Sequence, residues 1–270
     1  MERPLILLVN DDGVESPGLA ALAAALDPLG DLLIIAPRVQ QSGMGRSFPG
    51  SNDGRMTETT VQYEGKSWKA YAATASPAQC VQHGVLEVAD RPLALVVSGI
   101  NYGENIGTGV TASGTVGAAL EAAGQGVPAL AISLEMPVAQ HMTYDTNVNL
   151  KGAQYFSHYF AQRWLAADRP PEVDLLKIDI PFNATPETPW RMAHLERGKF
   201  YVHLAPLRNS LEDAGRIGYT VNQRLMTSED SDAAVIRAGL VAVTPLTLDI
   251  TAPITEEALR RTLNGSVKQA

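Results

Sequence analysis

The sequence predicts an α/β fold, with a mostly parallel β-sheet flanked by helices and a β-hairpin or arm near the carboxyl terminus. One observation is a set of short, uninterrupted apolar runs, which are typical of strands buried on both faces of a parallel sheet. Another is that helical patterns alternate with these runs, which favours right-handed βαβ units. The chain has 270 residues, of which 45% are hydrophobic, so it is long enough to bury such a core.

The first predicted strand, residues 5–9, and the helix after it organise the rest of the chain. The strand runs into two adjacent carboxylates, Asp11 and Asp12. Ser16 and Pro17 then match a helix N-cap followed by proline at the first helical position. Both carboxylates are therefore expected at the carboxyl end of a strand, which is the edge where open α/β sheets bind ligands.

The remaining elements are predicted from the same periodicities and from glycine and proline signals. Residues 57–63 and 67–72 alternate on either side of Glu64 and Gly65, which predicts a hairpin. A long irregular segment at 38–55 predicts a functional or mobile loop. Further strands are predicted at 32–36, 93–97, 129–133, 175–180 and 239–246, further helices at 76–87, 112–125, 145–166, 232–238 and 255–263, and a second hairpin at 190–204.

These elements predict three regions along the chain. Residues 1–182 are expected to form the α/β core that carries the chemistry, and 183–230 a hairpin and an oligomerisation arm. Residues 231–270 are expected to return to the core as a strand and a helix. The segment 205–227 looks too long for a simple surface loop, so we expect it to pack on another subunit.

Composition excludes several classes of function. A net charge of −8 and an isoelectric point near 5.1 argue against binding to duplex nucleic acid, which needs a basic face. The single Cys80 excludes an internal disulfide framework and suits a reducing compartment. No apolar run reaches the ~20 residues that span a bilayer, and the first residues lack a signal-peptide pattern. We therefore expect a soluble, cytoplasmic protein.

Three predicted loops at one edge of the sheet each offer oxygen donors. The first carries the carboxylates of Asp11 and Asp12, the second the Ser42 hydroxyl, and the third the Asn101 amide. Adjacent carboxylates repel each other, and a divalent cation relieves this repulsion. Hard oxygen donors suit Mg²⁺ or Mn²⁺. A solvated acidic turn is the alternative interpretation of Asp-Asp-Gly taken alone.

The predicted helix that opens at Ser113, Gly114 and Thr115 adds free N–H groups and the positive end of a helix dipole. A cation beside such an anion site is typical of phosphate-ester chemistry, because the cation polarises the phosphoryl oxygens. Competing motifs are weaker. The dinucleotide-like segment 107–112 lies far from its strand, 109–115 lacks the lysine of a phosphate loop, and no Gly-x-Ser-x-Gly is present.

Together these motifs resemble the family of the stationary-phase survival protein SurE, which consists of metal-dependent nucleoside-monophosphate phosphatases. The resemblance is carried by residues 10–13 (Asn-Asp-Asp-Gly), 41–43 (Gln-Ser-Gly), 98–107, 113–119 and the closing motif at 244–246. It implies a Rossmann-like core, one Mg²⁺ or Mn²⁺ per subunit, and homodimers or homotetramers that exchange carboxy-terminal arms. The implied metal ligands are Asp11, Asp12, Ser42 and Asn101; the implied phosphate-binding residues are Asn10, Gly43, Asn101, Ser113, Gly114 and Thr115.

The sequence departs from the family pattern at three places. Residues 75–80 read Ala-Ser-Pro-Ala-Gln-Cys instead of Gly-Thr-Pro-Ala-Asp-Cys, and Ala112 replaces a tyrosine. Lys177 and Asp179 stand where the family usually has Asn-x-Asn. The implied metal ligands are unaffected, but the surroundings of the leaving group are not, which leaves the preferred nucleotide open.

The sequence therefore predicts a metal-dependent phosphomonoesterase that hydrolyses nucleoside 5′- or 3′-monophosphates. Asp11 and Asp12 are the candidate catalytic residues, one of them accepting a proton from the attacking water. An aspartyl-phosphate intermediate is not expected, because the two carboxylates that follow the first predicted strand are adjacent and do not have the Asp-x-Asp order of phosphatases with an aspartate nucleophile. The alternatives are a phosphatase for another small phosphomonoester and a nucleotide-binding protein without turnover.

Overall fold

A computed structural model describes residues 2–222, 224 and 228–264. The strands are β1 (Leu5–Val9), β2 (Asp31–Pro37), β3 (Met56–Tyr63), β4 (Lys66–Ala73), β5 (Leu93–Tyr102), β6 (Ala129–Leu134), β7 (Leu175–Ile180), β8 (Trp190–Met192), β9 (Tyr201–Leu204), β10 (Gly218–Val221) and β11 (Val241–Leu246). The helices are α1 (Pro17–Leu26), α2 (Pro77–His83), α3 (Gly114–Gly124), α4 (Lys151–Ala166), α5 (Asp232–Arg237) and α6 (Glu256–Asn264).

In the described part of the chain, nine strands form one sheet in the order β3-β4-β2-β1-β5-β6-β7-β11-β8. The strands from β4 to β7 in this order run parallel, whereas β3 and β11 are antiparallel to their neighbours β4 and β7. Strands β9 and β10 form a separate antiparallel hairpin. The predicted α/β fold with a carboxy-terminal hairpin is therefore confirmed.

The sheet reverses its strand order at β1. After β1 the chain adds β2 and β4 on one side, and then crosses to place β5 on the other side. Helices that follow β1 and β5 consequently leave towards opposite faces, and open α/β sheets bind ligands outside the carboxyl ends of two such strands. Asp11 and Asp12 follow β1 at this position.

Helices cover both faces of the sheet because every residue of β1 is buried and its side chains alternate between two cores. Ile6 and Leu8 pack with α1 and α4, which include the buried Leu22 and Phe156. Leu7 and Val9 pack on the opposite face with residues of α2 and α3. Phe156, Phe160 and Trp164 of α4 therefore belong to the core, whereas Tyr155 is exposed.

The structure differs most from the predicted elements at three places. Strand β5 extends to Tyr102, so Asn101 lies on a strand end and not in a loop, because residues 101–102 still pair with β6. Helix α4 begins at Lys151 and not at 145, since Asp145 caps a local turn by accepting from the Asn147 amide (2.9 Å). Residues 190–204 do not form a hairpin; β8 pairs with β11, and β9 pairs with β10.

The segment 205–227 is only partly described, because residues 223 and 225–227 lie outside the described residues. Its first part projects from the hairpin with Leu207 and Leu211 exposed. Helix α6 has no buried residue, so neither segment packs extensively on its own chain. The division of the chain into three regions stays a prediction. None of the described helices combines the length and the apolar character needed to cross a membrane.

Candidate active site

The turn after β1 is closed by the side chain of Asn10. Its Nδ2 donates to the Gly13 carbonyl (2.9 Å), and its Oδ1 accepts from the Gly13 amide (3.2 Å). Asn10 is fully buried, so these bonds fix the path of the chain at Asp11 and Asp12. The predicted contact of Asn10 with phosphate stays a prediction, and the structure gives this side chain a turn-forming role.

Asp12 is held by donors from two other elements. Its Oδ2 accepts from the Tyr102 amide at the end of β5 (3.1 Å), and its Oδ1 accepts from Gln40 Nε2 (3.0 Å). The Tyr144 hydroxyl donates to the backbone carbonyl of Asp12 (2.8 Å). Burial, and then repulsion by Asp11, raise the pKa of Asp12 well above its ordinary value.

Asp11 faces the first turn of α3. Its Oδ1 accepts from the Thr115 hydroxyl (2.5 Å), and the backbone amides of Gly114 and Thr115 also favour its ionised form. Burial raises the pKa of Asp11 nonetheless. A Cβ added to Gly114 would lie 2.6 Å from the Asp11 Cβ, so the helix approaches this closely only because residue 114 is glycine.

The first turn of α3 therefore donates hydrogen bonds directly to the Asp11 carboxylate. Ser113 is the N-cap, and its Oγ accepts from the Val116 amide (3.1 Å). The hydroxyls of Ser113 and Thr115 are thus both engaged within the protein. The sequence brings Ser113, Gly114 and Thr115 to the predicted place, and what they offer to a ligand is mainly the backbone and the positive end of the helix.

Ser42 and Asn101 complete the predicted donor set. Gln40 Nε2 donates to Ser42 Oγ (3.1 Å) as well as to Asp12, so Gln40 joins the exposed Ser42 to the carboxylates. Asn101 donates its Nδ2 to the Gly103 carbonyl (2.6 Å), and its remaining polar atom is therefore the acceptor Oδ1. Gly43 lies beside Ser42 in open space, with no atom within 4 Å of a Cβ built on it.

Sequence reasoning did not find Gln40, Tyr144 or His141. Gln40 precedes the Gln-Ser-Gly motif directly, which is a weak signal for its role. Tyr144 and His141 lie in a segment without periodicity, and each contacts a residue more than 100 positions earlier in the chain. Their contacts with Asp12 and Gln40 arise only from the tertiary fold.

The residues at this site fit a hard divalent cation. Within the described ranges, Asp11 is the charged group that shifts the pKa of Asp12, and it does so by repulsion. Two buried carboxylates without a compensating cation are expensive to keep ionised, and a metal ion removes that penalty. Across the described residues no cluster of three or more His, Cys, Asp or Glu could hold a metal. The predicted donor set is compatible with this finding, because it has only two carboxylates and completes them with a neutral hydroxyl and a neutral amide oxygen.

Comparisons with known proteins follow the same motifs. The family model described as survival protein SurE matches residues 6–201. A relative from Methanothrix thermoacetophila, named 5′-nucleotidase SurE, is 39% identical over 258 residues, covering 92% of this chain and 94% of the relative. A relative of the same name from Methanocaldococcus jannaschii is 36% identical, covering 91% and 92%.

The fold of a solved structure agrees with these matches. The crystal structure of the SurE protein from Aquifex aeolicus superposes with a TM-score of 0.74 at 26% identity, covering 96% of this chain and all of the other. The family match, the relatives and the arrangement of Asp11, Asp12 and α3 point the same way: this chain belongs to the SurE family.

Proposed function

We propose that this protein is a metal-dependent phosphomonoesterase that hydrolyses nucleoside 5′- or 3′-monophosphates. The observation that carries the proposal is the pair of buried carboxylates after β1, placed directly against the positive end of α3. A site that concentrates negative charge and also presents a helix start suits a cation and a phosphate together. The names of the relatives support a nucleotide as the substrate.

Asp11, Asp12, Ser42 and Asn101 would hold one Mg²⁺ or Mn²⁺ per subunit. When bound, the cation supplies positive charge that polarises the phosphoryl oxygens. The protein contributes orientation: Gln40 fixes the spacing between Ser42 and Asp12 through two hydrogen bonds. We propose that the start of α3, with Ser113, Gly114 and Thr115, would bind the phosphate together with Gly43, Asn10 and Asn101.

Proton transfer falls to one of the two carboxylates. Asp12 receives two donors and Asp11 receives the Thr115 hydroxyl, so both are fixed before a substrate enters. A fixed carboxylate within reach of the attacking water accepts its proton as the phosphorus–oxygen bond forms. The phosphorus–oxygen bond to the nucleoside breaks on the opposite side, and the leaving oxygen takes up a proton from solvent to become the nucleoside hydroxyl.

The test is release of inorganic phosphate from 5′-AMP and 3′-AMP with Mn²⁺, measured with and without a chelator. We expect turnover that the chelator abolishes and that added Mn²⁺ restores. Binding of AMP without release of phosphate would instead identify a nucleotide-binding protein. A parallel screen of sugar phosphates and polyphosphate determines whether the altered residues 75–80 and Ala112 admit another phosphomonoester.

We also propose that the protein is a cytoplasmic homodimer or homotetramer. The arm at 205–217 and helix α6 expose large apolar side chains: Leu207, Leu211, Ile217 and Leu263 are each more than half exposed. Apolar surface of this kind is typical of association. We expect these segments to contact another subunit.

A further inference from the structure

Three charged side chains form a buried cluster outside the site described above. Lys177 and Asp179 lie on β7, and Asp232 is the first residue of α5. All three side chains are fully buried. The Lys177 ammonium contacts the Asp179 carboxylate and lies 3.1 Å from Asp232 Oδ2. One ammonium is thus shared between two carboxylates.

Each carboxylate of the cluster also accepts from the backbone of one loop. The Asn105 amide donates to Asp179 Oδ1 (2.7 Å), and the Gly107 amide donates to Asp232 Oδ2 (2.9 Å). This loop, residues 103–107, begins two residues after Asn101 and leads to the start of α3. It therefore connects the two sides of the candidate active site.

The same carboxylate of Asp232 holds the segment that leads into the hairpin. Its Oδ1 accepts from the Glu196 amide (2.9 Å). Gly107 has a φ of 58°, and a Cβ added there would lie 2.5 Å from the Glu196 carbonyl oxygen, so the two segments are in direct contact. The Tyr201 hydroxyl of β9 further donates to the Glu104 carbonyl (2.7 Å).

We propose that Lys177, with Asp179 and Asp232, positions the loop 103–107 and thereby sets the distance between Asn101 and the start of α3. Lys177 is a positioning residue, since it acts on the site only through the carboxylates that hold the loop amides. The catalytic consequence rests on the proposed function, whereas the effect on the loop does not.

The charge of Lys177 favours the ionised form of Asp179, although burial outweighs it and leaves the pKa of Asp179 above its ordinary value. Burial lowers the pKa of Lys177, but Asp179 and Asp232 outweigh it and hold that pKa above its ordinary value. Lys177 is therefore an ammonium at neutral pH. Buried ion pairs contribute little to stability compared with apolar replacements of similar size. A role in positioning the loop 103–107 therefore explains the cluster better than a contribution to stability.

Two substitutions separate these roles. Lys177→Met leaves two buried carboxylates facing each other without a cation, so one must protonate or move, and the hydrogen bond that it accepts from a loop amide weakens or breaks. Asp179→Asn leaves one oxygen for two donors, Lys177 and the Asn105 amide. The double variant Lys177→Met/Asp179→Asn removes one charge of each sign, and the oxygen of the new side-chain amide then has the Asn105 amide as its donor. It should therefore be closer to wild type than Lys177→Met.

The experiment combines hydrogen exchange of the peptide 103–109 with kcat and KM for AMP hydrolysis in Mn²⁺, below the melting temperature of each variant. In Lys177→Met we expect exchange of this peptide to accelerate at least ~10-fold and kcat to fall ~10²-fold, with KM within a few-fold, because misplacement by about 1 Å has effects of this size. The double variant should recover at least ~10-fold in kcat.

Leu26→Ala is the matched control for a purely structural loss. Leu26 is fully buried at the last position of α1, in the core that α1 shares with α4. This truncation should lower the melting temperature without changing kcat or the exchange of 103–109. The proposal is overturned if folded Lys177→Met exchanges this peptide at the wild-type rate. It is also overturned if Leu26→Ala changes exchange and kcat as much as Lys177→Met does.

The outcomes remain separable from those of the proposed function. If wild type releases no phosphate, the proposed function fails and the exchange data alone decide the role of the cluster. If Lys177→Met does not fold, Asp179→Asn takes its place; it should accelerate exchange of the peptide 103–109, and unchanged exchange overturns the proposal.

Discussion

Gly114→Ala tests whether the stability and the activity of the site depend on the close contact between α3 and Asp11. An alanine Cβ at this position would lie 2.6 Å from the Asp11 Cβ and 2.9 Å from its Oδ2. Carbon atoms in contact prefer about 3.5–4.0 Å, so the overlap is close to 1 Å. The nearest atom is attached to the backbone of Asp11, so either α3 or the turn after β1 must move.

The expected magnitude follows from two opposing terms. Overpacking of this kind destabilises by about 1–3 kcal/mol, and alanine gains at most about 1 kcal/mol over glycine in a helix. A net loss of about 0–3 kcal/mol remains, and its middle value of about 1.5 kcal/mol lowers the melting temperature by roughly 3–6 °C. Displacing Asp11 by about 1 Å should also reduce kcat ~10²-fold.

The control is Gly124→Ala at the other end of the same helix. There the added Cβ would lie 2.5 Å from Nη2 of Arg46, the end of a partly exposed side chain whose Nε donates to Glu121 (2.8 Å), so a side chain must shift but no backbone. Gly124→Ala should therefore lower the melting temperature less than Gly114→Ala and keep full activity. The reasoning would be refuted if Gly114→Ala matched this control in both thermal melting and release of phosphate.

Four further predictions concern the metal ligands, Glu104 and the segment 205–217. In chelator, Asp11→Asn should melt no lower than wild type, because it relieves the repulsion between the two carboxylates. On adding Mn²⁺ at a hundred times its Kd, wild type should gain ~2.7 kcal/mol in stability and Asp11→Asn much less. Equal shifts in melting temperature with Mn²⁺ would remove Asp11 from the metal site. Asn101→Ala should cut phosphate release ~10²-fold with little change in melting temperature. Burial raises the pKa of Glu104 to about 7, so its contribution to stability is present below pH ~4.3 and lost as the pH rises towards 7. Glu104→Gln should thus gain in melting temperature relative to wild type between about pH 5 and pH 8, and a constant difference would contradict this. Removing residues 205–217 should reduce the number of subunits per particle, as measured by light scattering. A monomeric wild-type protein would contradict the proposed contact of this arm with another subunit.

The sequence was informative where a local signal coincides with a structural element. Ser16 with Pro17 and Ser76 with Pro77 mark helix starts, and in both cases the serine side chain caps the helix as predicted. Residues 175–180 form a strand with the predicted bounds. The six residues show no helical periodicity, and Pro181 directly after them ends the strand. Such signals depend only on neighbouring residues, which the sequence displays directly.

The segments that cover the site lacked such signals. The pattern predicts a helix from residue 145, but the segment 136–149 folds over β1 and β5, where Tyr144 contacts Asp12 and the His141 carbonyl accepts from Gln40. These contacts bridge more than 100 residues of sequence. Their stabilisation comes from burial and hydrogen bonding in the assembled fold, which no local periodicity records.

Lys177 illustrates a different limit. The sequence shows only that Lys177 and Asp179 depart from a family pattern, and an exposed strand end would be an adequate explanation. Burial changes that interpretation, because an unpaired ammonium in the interior is strongly unfavourable. Its partner Asp232 is 55 residues away, so the compensating charge is invisible without the fold.

The arrangement around Asp11 and Asp12 also explains why the site tolerates its own repulsion. Each carboxylate is held by a different part of the fold, Asp12 by β5 and the loop after β2, and Asp11 by α3. The hydrogen bonds are individually modest, but moving either carboxylate would break contacts between elements that are packed in two separate cores. The free energy of folding therefore keeps two like charges together in a buried position. It follows that substitutions that weaken these contacts should impair function before they unfold the protein, whereas removal of one charge should impair function and leave the metal-free protein at least as stable as wild type.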